Sequence, residues 1–232
     1  MTRVRYVAAS VCSLAFLWLP PAHAADSTST AAHGRFIGVT LGLGIQAHAA
    51  ADLVDYINRI AIPPYNNRLS EFTTVPELYI APEVQVSDDW SVGIDYGYLV
   101  RSYTVVGSGV GTSQFDYVVH VPVAVVHYLI PGDGYWVKLG GGIGYQFAEL
   151  SQRLYGAIAS TDFRARGVGV KLEAVADTKF DDHLYGSIQL DLRWVGGGSF
   201  ESGSGTVATV AGTTAKLNFF AATLRFGVLI LV

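Results

Sequence analysis

Cysteine is nearly absent from this chain. The single one, Cys12, lies inside the first apolar stretch, so the rest offers neither a disulfide framework nor a thiolate metal site. Charge is also sparse: 15% Asp, Glu, Lys and Arg against 50% hydrophobic residues, with a net charge of −4. That sign gives no footing for nucleic acid. A mean hydropathy of +0.35 is high for a soluble domain. Yet the long apolar run of a membrane helix is missing as well. The best candidate, FFAATLRFGVLILV (219–232), is short and interrupted by Arg225. What the chain does have is 26 glycines and 13 tyrosines, a composition suited to many short strands and tight turns.

Residues 1–24 read as a cleaved secretory signal peptide. Arg3 and Arg5 make a basic start, Val7 to Leu19 is apolar, and Ala22-His23-Ala24 is a small-residue cleavage site. A retained anchor helix is the alternative. Cys12 lies within the apolar run rather than after it, which excludes lipidation at a lipoprotein site. Residues 25–34 are then a short N-terminal segment facing the periplasm, and residues 35–232 form one domain.

Within that domain a period of two recurs eight times. FIGVTLGLGI (36–45) sets Ile37, Val39, Leu41, Leu43 and Ile45 against glycines and Thr40. PELYIAPEVQV (76–86) sets Leu78, Ile80, Val84 and Val86 against Tyr79, Glu83 and Gln85. SVGIDYGYLVR (91–101) sets Val92, Ile94, Tyr96, Tyr98 and Val100 against Asp95 and Arg101. FDYVVHVPVAV (115–125) sets Phe115, Tyr117, Val119, Val121 and Val123 against Asp116 and His120. The later segments set Lys138 and Gln146, Lys171 and Glu173, Asp191 and Arg193, and Thr223 and Arg225 against apolar rows. Such alternation marks strands with one polar and one apolar face. Short Asp/Gly/Pro turns at 87–90, 131–134 and 177–182 alternate with long segments near 47–74, 104–114, 148–165 and 196–214. The fold class expected is all-β: a transmembrane antiparallel up-and-down barrel of eight strands, with four long outer loops and three short periplasmic turns. A soluble sandwich or a lipocalin-type barrel is the competing architecture.

The charges decide which face is inside. Five bases (Arg101, Lys138, Lys171, Arg193, Arg225) and five acids (Glu83, Asp95, Asp116, Glu173, Asp191) share the polar faces with His120. An unpaired buried charge is destabilising, so this balance suits the lumen of a narrow barrel, which side chains alone can fill. Glycines such as Gly42, Gly44, Gly140 and Gly142 leave room there for long side chains. The apolar rows then face lipid. Trp90, Tyr135, Trp136, Tyr185 and Trp194, near the strand ends, are expected as a lipid-facing aromatic girdle.

HVPVAVVHYLIPGDGYWVKLGGGIGYQF (120–147) resembles the central hairpin of small eight-stranded outer-membrane β-barrels, the group of the OmpA transmembrane domain, the opacity proteins and related porin-like surface proteins. The likeness lies in a proline within a valine-rich strand, a glycine-containing turn, and a glycine run ending in Gly-Tyr. It implies the outer membrane of a Gram-negative bacterium, contact with outer-membrane lipid and lipopolysaccharide, and handling by the barrel-insertion machinery. Members of that group end in an aromatic residue read during insertion, whereas this chain ends in Leu231-Val232.

The resemblance also covers lipid A-modifying enzymes, some with a His-x-Ser pair. No such pair follows His120, His127 or His183, although a triad built across strands from His120, Asp116 and a loop serine stays open. The histidines show no ligand spacing, so neither metal nor cofactor is expected. Segment 49–68 places Leu53, Val54, Ile57, Ile60 and Ala61 on one helical face, closed by Pro63-Pro64. That helix either caps the barrel mouth or touches lipid or a partner, or it packs on its own loop. Residues 196–214, rich in Gly, Ser and Thr, read as a mobile fourth loop. The function expected is non-enzymatic: a structural or surface-interaction barrel with a plugged interior. A narrow pore or a conduit for small hydrophobic molecules is the alternative, with lipid A modification behind it.

Overall fold

In the computed structural model the described residues are 35–61, 68–69, 72–107 and 111–232. The expected signal peptide, the segment 25–34 and Pro63-Pro64 lie outside them. The elements are β1 (Ile37–Ala49), α1 (Ala51–Ala61), β2 (Phe72–Gln85), β3 (Trp90–Gly107), β4 (Gly111–Gly132), β5 (Tyr135–Arg153), β6 (Thr161–Asp181), β7 (Leu184–Gly197), three two-residue strands β8 (Glu201–Ser202), β9 (Thr209–Val210) and β10 (Thr213–Thr214), and β11 (Phe219–Leu231). Eight long strands pair in the order β5-β4-β3-β2-β1-β11-β7-β6, and the β5–β6 pairing closes the ring. Every neighbouring pair is antiparallel. Closure satisfies the backbone groups a sheet edge would leave to lipid, which is what lets a β-structure cross a bilayer. No described helix is long and apolar enough to do so.

The period of two sets the two surfaces. On β7, Ile188, Leu190, Leu192 and Trp194 are exposed while Ser187, Gln189, Asp191 and Arg193 are buried. On β6, Leu172 is 68% exposed beside buried Lys171 and Glu173. The inversion of a soluble protein's pattern is general to the wall: exposed Leu41, Leu43, Leu78, Ile94, Leu139, Ile143, Phe226 and Val228 form an apolar exterior belt. This is a transmembrane barrel.

β4 reverses the expectation. Phe115, Tyr117, Val119, Val121, Val123 and Val125 point inward, whereas Asp116 and His120 point outward. The strand carries valine on both faces, so the sequence parity rested on Asp116 and His120 alone. Both are satisfied at the loop-side rim of the wall: Asp116 accepts from Ser102 Oγ at 2.6 Å, and His120 Nδ1 shares a hydrogen bond with Tyr96 Oη at 2.6 Å. The inward valines lie over the glycine row of β5. A Cβ on Gly142 would meet the Val123 and Val125 methyls at 2.8 and 2.9 Å. In a Cys12→Ser background folded in vesicles, Ala124→Cys is expected to react with a bilayer-dissolved pyrene maleimide and Val121→Cys to resist it. The opposite pattern would return β4 to its other face.

The connections differ from expectation in a related way. β3 to β6 run far beyond the belt, so most of 104–114 and 148–165 is extended strand rather than loop. β6 likewise continues through 177–181, with an irregularity between Lys179 and Asp181, leaving only Asp182-His183 as the turn. Asp133-Gly134 closes β4–β5, with Gly134 at φ +76°, a conformation glycine adopts without strain.

Residues 198–218 are folded rather than an open tether. β8 pairs with β6, β9 with β10, and Phe200, Ala208, Ala215 and Leu217 are buried. The small alternating side chains that suggested mobility are what allow this segment to pack closely against α1. Leu53, Tyr56 and Ile57 of α1 join them, together with Tyr103, Phe115, Tyr117, Leu150 and Phe163 of the long strands, in an apolar core. α1 therefore packs into the barrel's loop end as well as on its own loop.

Candidate functional site

The lumen has two compartments. Toward the loop end lies the apolar core. Toward the turn end, among the described residues, six buried acids (Glu77, Glu83, Asp95, Glu173, Asp177, Asp191) meet four buried bases (Lys138, Lys171, Arg193, Arg225) and His127. Arg225, fully buried, donates through Nε to Glu77 Oε2 at 3.0 Å, through Nη2 to Glu77 Oε1 at 2.7 Å, and through Nη1 to Asp95 Oδ2 at 2.6 Å. Arg193 reaches the same Glu77 Oε1 at 3.3 Å. Asp191 lies 3.3 Å from Arg225 Nε and 3.6 Å from Arg193 Nη2, at ion-pair range. Lys171 contacts Asp95 and lies 2.6 Å from Glu173, joining this group to a second one. There Lys138 contacts Glu83 and lies 2.9 Å from Asp177. His127 sits between Glu83 and Glu173, each ring nitrogen 2.9 Å from a carboxylate oxygen.

Of the residues expected in an interior charge network, Glu83, Asp95, Lys138, Lys171, Glu173, Asp191, Arg193 and Arg225 are thus brought into contact. Arg101 faces inward but joins none of the acids. Its Nη1 donates to the Thr74 carbonyl at 3.3 Å, and its guanidinium lies 5.3 Å from the Tyr103 ring centre. Asp116 and His120 are outside, as described. Sequence reasoning missed Glu77, His127 and Asp177. Glu77 shares the parity of Tyr79 and Glu83 and was legible; His127 went with the reversed β4, and Asp177 with a turn drawn too long.

Side-chain packing continues around the network and leaves a cavity of about 20 Å³ beside Glu83, His127 and Lys138. Gly42 and Gly227 face each other across β1 and β11 and leave a dent for the Tyr79 ring, which a Cβ on Gly42 would meet at 2.6 Å. The Arg225 guanidinium lies 4.7 Å from that ring's centre. Beneath the charges, Phe36, Trp136 and Tyr185 stack at centroid spacings of 4.7 and 5.1 Å and close the turn end. Trp136 and Tyr185 are therefore not lipid-facing girdle residues: they share the inward parity of Lys138 and Ser187, and ring stacking over the lumen leaves Tyr185 buried and Trp136 half-buried. Trp90, Tyr135 and Trp194 do face outward, Trp90 edge-on to Tyr128.

The loop end is tied by polar contacts between segments. Tyr56 Oη donates to Gln152 Oε1 at 2.7 Å, and Asn218 Nδ2 donates to Asp52 Oδ2 at 2.8 Å. Burial pushes the Tyr56 phenol above its usual pKa, against the opposing effect of the Gln152 contact. Among the described residues no group of His, Cys, Asp and Glu has the arrangement of a metal site.

Among the described residues the shortest ladder of the wall is the β2–β3 seam, and like β4–β5 at Pro122 it is interrupted at a proline. β2 pairs with β3 only from Glu77↔Leu99 to Gln85↔Ser91, skipping Ala81 and Pro82. Above Glu77, Phe72–Pro76 pair with β1 alone, and Val100–Gly107 with β4 alone, among the described residues. The Pro82 carbonyl points at Gly93 of β3, so the N–H that proline lacks would have pointed there too. Pro76, six residues away with the same parity, removes a second donor from the same side. Outside this seam lies a trough of about 450 Å³ lined by Leu43, Ile45, Pro76, Leu78, Tyr98, Val100 and Phe226 among others.

No known protein family and no curated protein matches the sequence. Solved structures do match the fold. Neisserial surface protein A (NspA) is 11% identical with a TM-score of 0.51, over 84% of this chain and 96% of that one. A major outer membrane protein from Thermus thermophilus is 12% identical with a TM-score of 0.50, over 84% of this chain and 99% of that one. With the closed ring and its apolar belt, these similarities define the fold class: a small eight-stranded antiparallel β-barrel of the kind seen in those outer-membrane proteins.

Proposed function

We propose that this protein is exported by residues 1–24, inserts in the outer membrane of a Gram-negative bacterium with the help of the barrel-insertion machinery, and acts there as a non-enzymatic structural or surface-interaction protein. In this reading lipid and lipopolysaccharide surround the belt, and partners meet the parts of β3–β6, α1 and residues 198–218 that rise beyond it. The observation that carries it is the filled lumen: a contiguous ion-pair network under an apolar core, with an aromatic stack below. Eight strands leave an interior that side chains can fill, and the small size of the cavity left beside Glu83, His127 and Lys138, about 20 Å³, supports this reading. Planar-bilayer recording on the folded protein is expected to show no steady conductance. Channels of one defined size would overturn the plugged lumen.

The seam between β2 and β3 favours a second reading, a lateral conduit for small hydrophobic molecules, over an axial pore. A molecule entering there would pass through the wall above Glu77 and need not displace the charges below.

A further inference from the structure

We infer that the β2–β3 seam is a binding site for a single-chain anionic amphiphile, a fatty carboxylate, with its chain in the outer trough and its carboxylate on Arg101. The inference deepens the conduit reading and rests on it.

Three features converge. The trough is lined by residues of four strands: Leu43, Gly44 and Ile45 of β1, Pro76, Glu77 and Leu78 of β2, Tyr98 and Val100 of β3, and Phe226 of β11. Its volume, about 450 Å³, is that of a small-molecule pocket and suits one acyl chain. It opens on the lipid-facing belt, where an apolar chain is already in its preferred solvent.

The backbone is open at the same place. Pro76 and Pro82 remove donors from the β3 side of β2, and the ladder stops at Glu77↔Leu99. A chain lying along the trough reaches this gap at Pro76 and Val100, so its polar end meets the loop-side half of the seam.

The charge at that point has the right sign. Arg101 follows Val100 and extends across the seam to the Thr74 carbonyl, two residues before Pro76. Its Nε is buried and finds no hydrogen-bond partner among the described residues. Glu77, the nearest acid on β2, is already taken by Arg193 and Arg225. A planar carboxylate matches the guanidinium fork, and a charge-assisted pair is stronger than the single carbonyl contact Arg101 now makes.

The test is photolabelling of the protein folded in phosphatidylcholine vesicles with diazirine-tagged palmitate, the adducts mapped by peptide mass spectrometry. Adducts are expected on 76–78 and 98–100, severalfold above those on Leu172 and Leu190 of the opposite wall. Arg101→Gln is expected to lower them about tenfold, as losing one charged hydrogen bond should. The matching diazirine-tagged alcohol should label the unaltered protein no better than palmitate labels Arg101→Gln. Leu78→Trp, which fills the trough, should abolish the adducts while leaving heat-modifiable gel mobility intact; if that variant does not fold, Arg101→Gln decides alone. Even labelling around the belt, or equal labelling with and without Arg101, would overturn the site. Either result leaves the plugged lumen standing, whereas steady conductance would sink the plugged lumen and leave this site untouched.

Discussion

Replacing Arg225 by leucine is expected to destabilise the folded barrel by about 3–5 kcal/mol, the usual cost of removing one partner from a buried ion pair. Arg225 is fully buried and touches Glu77, Asp95 and Asp191 from one guanidinium. Leucine leaves Arg193 to serve Glu77 and Lys171 to serve Asp95, with more negative than positive charge in the lumen. Urea unfolding in vesicles, read by heat-modifiable gel mobility, measures the loss. The double variant Arg225→Leu with Glu77→Leu should recover part of it, because deleting both partners removes the uncompensated charge along with the attraction. An Arg225→Leu barrel as stable as the parent would show that the network contributes little and that the apolar core and the belt hold the fold.

The converse substitution acts on the other face. Leu190→Arg places a charge in the belt on β7, and the expected cost is about 2–4 kcal/mol near the bilayer midplane. Trp194→Arg, two outward positions along the same strand toward the loop end, should cost about 1 kcal/mol or less, since the penalty falls toward the interface. The gradient between the two is more telling than either value. Equal tolerance of arginine at both positions would mean that this row is wetted, and the inside-out assignment of the whole wall would fail with it.

Legibility varied from strand to strand for a physical reason. On β7 the polar row Ser187, Gln189, Asp191 and Arg193 has no apolar member before Val195, so parity could be read from the sequence. On β6 the adjacent charges Lys171 and Glu173 fix the parity although apolar Val175 shares their row. On β4 both rows are apolar through the belt, since valines face the lumen as well as the lipid. Two polar residues then governed the assignment, and both belong to the outer rim, where a polar tip is tolerated on the lipid side. The girdle assignment failed in the same manner at Trp136 and Tyr185 but not at Trp90, Tyr135 and Trp194. Trp136 and Tyr185 lie near strand ends, as interface aromatics do, but so do aromatics that stack across the end of a lumen. Position along the strand does not distinguish the two; parity does, and Trp136 shares its parity with Lys138.

The loop end was legible only in part. The apolar face of α1 follows from spacing at 3.6 residues per turn, and Leu53, Val54 and Ile57 are buried as that face requires. What it packs against does not follow, because Phe200, Ala208, Ala215 and Leu217 come from a segment whose composition resembles a flexible linker. Low side-chain volume describes both a mobile tether and a chain that packs closely.

The sequence by itself determined the local alternation, the number of long strands, the outward rows of most of them and the need for balanced charge within, since each depends on residues only a few positions apart. Only the tertiary structure decided which acid meets which base, how β4 turns, where the lumen closes and where its wall parts. Glu77 and Arg225 are 148 positions apart and meet because the ring shuts between β1 and β11. Pairing across a closed barrel is set by strand register and shear, and those belong to the whole ring rather than to any strand within it.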